Sequence, residues 1–229
     1  ASDVYERQKI MYNPKSSKAE EFIAHEEVLA SLEYGEKNKS NVEEIDRILN
    51  KAREKKGITH REAMVLLDCD IEEKNQEIYA LAKEIKEEFY GNRIVMFAPL
   101  YLSNYCINGC EYCPYHARNK HIARKKLSQE EIVKEVTALQ DMGHKRIALE
   151  AGEDPVNNPI EYVLESIKTI YDVKHKNGAI RRINVNIAAT TVENYKKLHD
   201  IGIGTYVLFQ ETYNKEAYER LHPTGPKHN

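Results

Sequence analysis

The chain has no run of 18 or more consecutive apolar residues and no apolar signal-peptide core in its Lys- and Glu-rich N-terminus. A membrane span is thus not expected, and a cytoplasmic location is. It also lacks a basic excess. Its 34 Lys and Arg are interspersed among 37 Asp and Glu, for a formal charge of -3, so the positive field that nucleic-acid binding needs is missing and no nucleic-acid partner is expected. Cysteine is scarce, with four in 229 residues. Three of them, Cys106, Cys110 and Cys113, lie too close together to pair with distant partners, which argues against a disulfide framework and for a reducing compartment with metal-ligating thiolates.

What is present suits a globular chain with a sizeable core, at 41% hydrophobic and 31% charged residues. Residues 1–90 read as a helical N-terminal region. A polar arm around Tyr12-Asn13-Pro14 leads to an amphipathic pattern through Phe22, Ile23, Val28, Leu29 and Leu32, which Gly35 is expected to end. A capping box at Ser40 and Glu43 predicts a second helix with Val42, Ile45, Ile48, Leu49 and Ala52 on one face, and a box at Thr59 and Glu62 predicts a third through Leu67. Ile78, Leu81, Ala82, Ile85 and Phe89 mark a fourth helix. Cys69, in the joint before it, reads as a small buried apolar residue.

From Gly91 the pattern changes to short β-branched runs alternating with amphipathic helices. Strands are expected at residues 93–98, 146–150, 182–187 and 205–210. The helices after the first three carry Ile132, Val136 and Leu139, then Ile160, Val163, Leu164, Ile167 and Ile170, then Val192, Tyr195 and Leu198, and a last one spans about Lys215 to Leu221. Four βα units predict an α/β fold: a TIM-like parallel barrel of which residues 91–229 form about half, with the expectation that the chain belongs to a longer one.

In such barrels chemistry sits in the loops at the C-terminal strand ends. There the sequence places Cys106, Cys110 and Cys113 in a C-x3-C-x2-C run, then Gly152-Glu153-Asp154, then Asn186, then Gln210-Glu211-Thr212. Three thiolates within eight residues can wrap an iron-sulfur cubane and leave one iron without a protein ligand. Alternatively, His116 could complete a structural zinc site in a non-catalytic binding module. Asn184 and Asn186 share one face of their strand by period-two alternation and would reach the lumen if that face points inward.

This C-x3-C-x2-C run after a first barrel strand, with Tyr112 before the last cysteine, resembles the radical S-adenosylmethionine (SAM) enzymes. The resemblance implies a 4Fe-4S cluster on Cys106, Cys110 and Cys113 whose open iron binds SAM. It further implies an adenine contact at Tyr112, an ammonium contact along Gly152, Glu153 and Asp154, and a ribose contact at Glu211, with Asn186 and Gln210 as additional cofactor-binding positions. Ala151 departs from the family's Gly-Gly-Glu pattern at its first glycine.

Longer segments narrow the resemblance: Phe97-Ala98-Pro99-Leu100-Tyr101-Leu102-Ser103-Asn104-Tyr105-Cys106, Cys113-Pro114-Tyr115-His116, Leu149-Glu150-Ala151-Gly152-Glu153-Asp154-Pro155 and Phe209-Gln210-Glu211-Thr212-Tyr213. Together they resemble the tyrosine lyases of FeFe-hydrogenase maturation, with the tyrosine lyases of thiazole synthesis as close siblings. That likeness implies Cα–Cβ cleavage of L-tyrosine to p-cresol and a dehydroglycine-like fragment, which the maturases convert to carbon monoxide and cyanide. It also implies a reductant such as ferredoxin or flavodoxin, other maturation proteins as partners, and a second iron-sulfur cluster in a segment after the barrel.

Overall fold

A computed structural model describes residue 21 and residues 24–212 and 214–228 of the chain. The expected arm around Tyr12-Asn13-Pro14 and the positions Phe22, Ile23 and Tyr213 lie outside the described residues. The chain divides into two compact units, one ending at Ile94 and one beginning at Val95.

The first unit is helical: α1 (His25–Asn38), α2 (Val42–Arg53), α3 (His60–Asp68) and α4 (Glu72–Tyr90). Ile45, Ile48, Leu49, Val65, Cys69 and Leu81 form its core, each fully buried aliphatic side chain contributing roughly 1.5–3 kcal/mol. Thr59 caps α3 through the expected capping box.

Two expectations in this unit are corrected. The cap of α2 is Asn41, whose side chain accepts from Glu44 N–H, while the Ser40 hydroxyl donates to Asp70 at 2.7 Å. Helix α1 also runs through Gly35 to Asn38, and it buries Glu27, Ser31 and Gly35 while Val28, Leu29 and Leu32 stay exposed. Close helix packing and ion pairing explain this choice of face. A Cβ on Gly35 would lie 2.9 Å from Met64 Cβ, and Arg61 grips the Glu27 carboxylate through two bonds of 2.6 Å, with His60 at 2.7 Å. Those bonds, Arg61 foremost, hold the Glu27 carboxyl down at about 2 against the opposing effect of burial.

The second unit alternates strand and helix: β1 (Ala98–Ser103), α5 (Gln129–Asp141), β2 (Arg146–Ala151), α6 (Ile160–Asp172), a small hairpin β3 (Lys174–His175) and β4 (Gly178–Ala179), β5 (Arg182–Asn186), α7 (Val192–Asp200), β6 (Thr205–Tyr206), α8 (Lys215–Leu221) and a 3-10 turn (Pro226–His228). The four main strands form a parallel sheet in the order β1-β2-β5-β6. This is a partial TIM-like α/β fold. Leu100, Leu102, Ile147, Leu149, Ile183 and Val185 of the sheet meet Ile132, Val136, Val163, Ile167, Ile170 and Leu198 of α5, α6 and α7 in one core. The opposite sheet face is left to polar and aromatic residues.

Strand boundaries differ from expectation at both edges. β1 runs over Ala98–Ser103 and shares only Ala98 with the expected 93–98, because its register with β2 starts at Ala98 opposite Ile147 and leaves Ile94 to Phe97 exposed before the ladder. β6 is shorter than 205–210 because it pairs on one side only. After Tyr206 a single bond from Val207 N–H to the Val185 carbonyl, 2.8 Å, continues the pairing. Asn177-Gly178, expected to stop α6, does not do so: the helix ends at Asp172 with Val173 already extended, and Asn177 and Gly178 belong to the hairpin that follows, with Lys176 at φ 53° in its turn.

Candidate cofactor site

Parallel register builds the floor of the site. Tyr101 on β1 pairs with Glu150 on β2, and Glu150 pairs with Asn186 on β5, so three polar or aromatic side chains stand in one row on the face turned away from the helices. Asn186 Nδ2 donates to Glu150 Oε1 at 2.5 Å. Burial raises the Glu150 carboxyl above the ordinary carboxylate range, with the Asn186 bond opposing it. Asn184 lies on the same face, one pleat below, beside Arg182 Nε at 3.2 Å.

The cysteine loop rises from the end of β1, where the register with β2 shifts between Tyr101 and Ser103. Its return is clasped by Arg124, whose guanidinium donates to the carbonyls of Asn104, Tyr115, His116 and Asn119 at 2.5, 2.8, 2.8 and 3.2 Å. On one side the loop rests against the end of β2. Ile107 N–H donates to the Glu153 carbonyl at 2.8 Å, Asn108 Nδ2 to Glu153 Oε2 at 2.6 Å, and a Cβ on Gly152 would lie 2.9 Å from Cys106 Cβ.

On the other side, the end of α8 and the segment after it close over it. Gly109 N–H donates to the Thr224 carbonyl, Glu111 N–H to the Leu221 carbonyl and Lys227 N–H to Asn108 Oδ1, at 2.8, 2.9 and 2.8 Å.

Cys106, Cys110 and Cys113 consequently face one cavity of about 210 Å³, together with Tyr101, Tyr112, Glu150, Gly152, Glu153, Asn186, Glu211 and Lys227. Of the ten positions that the family resemblance assigns to the cluster or the cofactor, eight meet here. Two do not. Asp154 spends its carboxylate on a turn, accepting from Val156 N–H, Asn157 N–H and Asn157 Nδ2 at 3.0, 2.9 and 2.8 Å, and it faces a neighbouring cavity. Gln210 is exposed and donates to the Thr212 carbonyl at 3.1 Å; the shortness of β6 leaves it outside the row.

Several residues of the site were not anticipated. Period-two alternation along β1 and β2 could have found Tyr101 and Glu150. No local signal marks Asn108 or Lys227, which meet across most of the unit. His222 is fully buried. Its Nδ1 lies 2.8 Å from the Tyr218 carbonyl and so carries the proton, which leaves Nε2 to accept from the Tyr112 hydroxyl at 2.7 Å. Burial, then the Glu211 carboxylate, push the Tyr112 hydroxyl well above its usual range. Burial works to raise the Glu211 carboxyl too, but Lys227 and then Tyr112 outweigh it and keep the group ionised.

The residues fit an iron-sulfur cluster with a chelated ligand. Thiols are the soft donors such clusters take, and burial raises the Cys110 thiol, so metal would displace its proton. Among the described residues, no three Cys, His, Asp or Glu side chains converge on a point suited to a single ion; a cubane instead takes each thiolate on a different iron. His116, the fourth ligand of the zinc alternative, does not line the cavity. Asn186 Oδ1 is buried without a partner, an acceptor available to a ligand's donor group.

Comparison with known proteins places these features in a family. The solved structure of HydG, a maturase of the [FeFe]-hydrogenase, is 58% identical with a TM-score of 0.86, over 91% of this chain and 45% of that one. The 3-methylornithine synthase of Methanosarcina acetivorans is 31% identical over 80% of this chain and 51% of its own. The 2-iminoacetate synthase of Salmonella typhimurium is 27% identical over 83% of this chain and 48% of its own. The chain thus spans about half the length of the curated relatives it matches. Among the described residues no helix is long and apolar enough to cross a membrane. The model of the radical SAM superfamily matches residues 100–229, from β1 through the cysteine loop to the segment that closes over it, and the chain belongs to that superfamily.

Proposed function

We propose that this chain carries the SAM-cleaving part of a cytoplasmic tyrosine lyase of the hydrogenase-maturation type. The observation that carries the reading is the meeting of Cys106, Cys110 and Cys113 with Glu153, Asn186 and Glu211 around one cavity, in a chain 58% identical to a HydG structure. A 4Fe-4S cluster on the three cysteines would supply the electron that splits the sulfonium of SAM into methionine and a 5'-deoxyadenosyl radical. That radical would take a hydrogen atom from L-tyrosine, and Cα–Cβ cleavage would follow.

The chain's own residues serve this chemistry by binding and shielding. The Glu211 carboxylate is suited to accept from two ribose hydroxyls. The Gly152 and Glu153 segment offers carbonyl and carboxylate oxygens to an ammonium, and Asn186 Oδ1 adds an acceptor. Tyr112, fixed by His222, presents its ring to the adenine. Tyr101 and Tyr115, edge to face at 6.3 Å, help wall the cavity from water. Asp154 holds the turn that carries Glu153, and Gln210 lies outside the cavity, so neither is given a direct contact.

The likeness to 2-iminoacetate synthase supports a second reading, a lyase that supplies dehydroglycine for thiazole synthesis. The full-length protein, reconstituted anaerobically with iron and sulfide and given SAM, L-tyrosine and dithionite, separates the two. Production of 5'-deoxyadenosine, p-cresol and cyanide is expected, the cyanide arising at a second cluster outside this chain. p-Cresol without cyanide would favour the sibling, and a colourless protein with one tightly held zinc would overturn both. A ferredoxin or flavodoxin should replace dithionite, and other maturation proteins should accept the products.

A further inference from the structure

Among the described residues lining the cysteine cavity, Lys227 is the single cation, set against Glu150, Glu153, Glu211 and three thiols. Its Nζ donates to Glu211 Oε1 at 3.0 Å and to the Tyr112 hydroxyl at 3.2 Å, and lies 4.6 Å from the centre of the Phe209 ring. The side chain is 16% exposed. Its position is set from the backbone: Lys227 N–H is fixed on Asn108 Oδ1, and Asn108 is fixed on Glu153. Phe209 and Glu211 come from the segment after β6, Tyr112 comes from the cysteine loop, and the ammonium joins them.

We propose that Lys227 is a positioning residue of the SAM site, holding Glu211 and Tyr112 in their binding orientation and placing a positive charge in the cavity that the three cysteines line. This rests on the reading of the cavity as a SAM and cluster site. A carboxylate in a half-buried, anionic cavity keeps one orientation only while a cation pairs with it; without one it swings to water or takes up a proton. The same charge shares its cavity with the three cysteines, whose cluster would become more negative on reduction, and net charge and hydrogen bonding set such a cluster's potential. One side chain thereby acts on nucleoside binding and on ease of reduction.

The test compares full-length wild-type, K227M and K227R proteins after anaerobic reconstitution. Iron per chain is expected to match in all three, because Lys227 ligates no metal. By equilibrium dialysis without reductant, K227M should bind labelled SAM about tenfold more weakly, the loss of one charge-assisted contact, and K227R should restore most of the affinity. By EPR at one fixed potential, a smaller fraction of the cluster should be reduced in K227M than in wild type, and K227R should recover it.

Wild-type affinity and an unchanged reduced fraction in K227M would overturn the proposal. If K227M does not fold, K227Q decides instead, since it keeps a donor without the charge and must still lower the reduced fraction. A wild-type protein that binds no SAM would bring down the reading of the site itself.

Discussion

Gly152→Ala probes the closest approach in the site. A Cβ at this position would sit 2.9 Å from Cys106 Cβ and closer still to the Tyr105 carbonyl oxygen. Carbon atoms in ordinary contact stand about 3.5–4.0 Å apart, so a gap of roughly 0.6 Å or more must open. Neither side yields easily. Gly152 N–H is bound to the Ser103 carbonyl at 3.1 Å, and Asn158 Nδ2 bridges the Gly152 and Tyr105 carbonyls at 2.8 and 3.0 Å.

Overpacking of this kind costs about 1–3 kcal/mol. Spent on displacing the cysteine loop, that lowers the docked population by roughly ten- to a hundredfold. Iron release to a chelator from the reconstituted protein should accelerate accordingly, and iron per chain should fall. Gly143→Ala is the control. With φ at 88° and nothing within 4 Å of its added Cβ, it should cost about 1 kcal/mol of stability through backbone strain and leave iron binding intact. Iron held by Gly152→Ala as tightly as by wild type would refute the claim that the loop is seated by this contact.

Arg124→Ala should hasten chelator-driven iron loss by about tenfold or more, since four carbonyls lose a charged donor, and Arg124→Lys should rescue it poorly because an ammonium cannot span them. Unchanged release from Arg124→Ala would show the clasp to be dispensable. Glu211→Gln should weaken SAM binding by about ten- to a hundredfold at constant iron content, measured by equilibrium dialysis; unaltered affinity would remove Glu211 from the site.

For Glu27 the folded-state carboxyl is depressed from 4.5 to about 2. Its stabilisation is therefore fully present above about pH 4.5 and drains away as pH falls toward 2. Glu27→Gln should lower the thermal midpoint at pH 7 and lessen the decline between pH 5 and 3; parallel pH profiles for variant and wild type would contradict this.

Local pattern determined much of the molecule. The spacing of Cys106, Cys110 and Cys113, the capping box at Thr59, and the alternation of β-branched runs with amphipathic helices are all written within a few residues. They sufficed for a parallel sheet and for the loops in which the site gathers, but not for the strand ends, which at β1 and β6 lie elsewhere than expected. Patterns of this range can still mislead about which face is buried. Helix α1 turns Glu27, Ser31 and Gly35 inward in place of its leucines, because an ion pair and a close helix contact outweigh its weak apolar stripe.

The tertiary structure alone decided which distant residues complete the cavity. Asn108 meets Lys227, and Tyr112 meets His222, across more than a hundred residues. Hydrogen bonds between segments so far apart leave no periodicity in the chain, because their partners are brought together only by the packing of the sheet and helices between them.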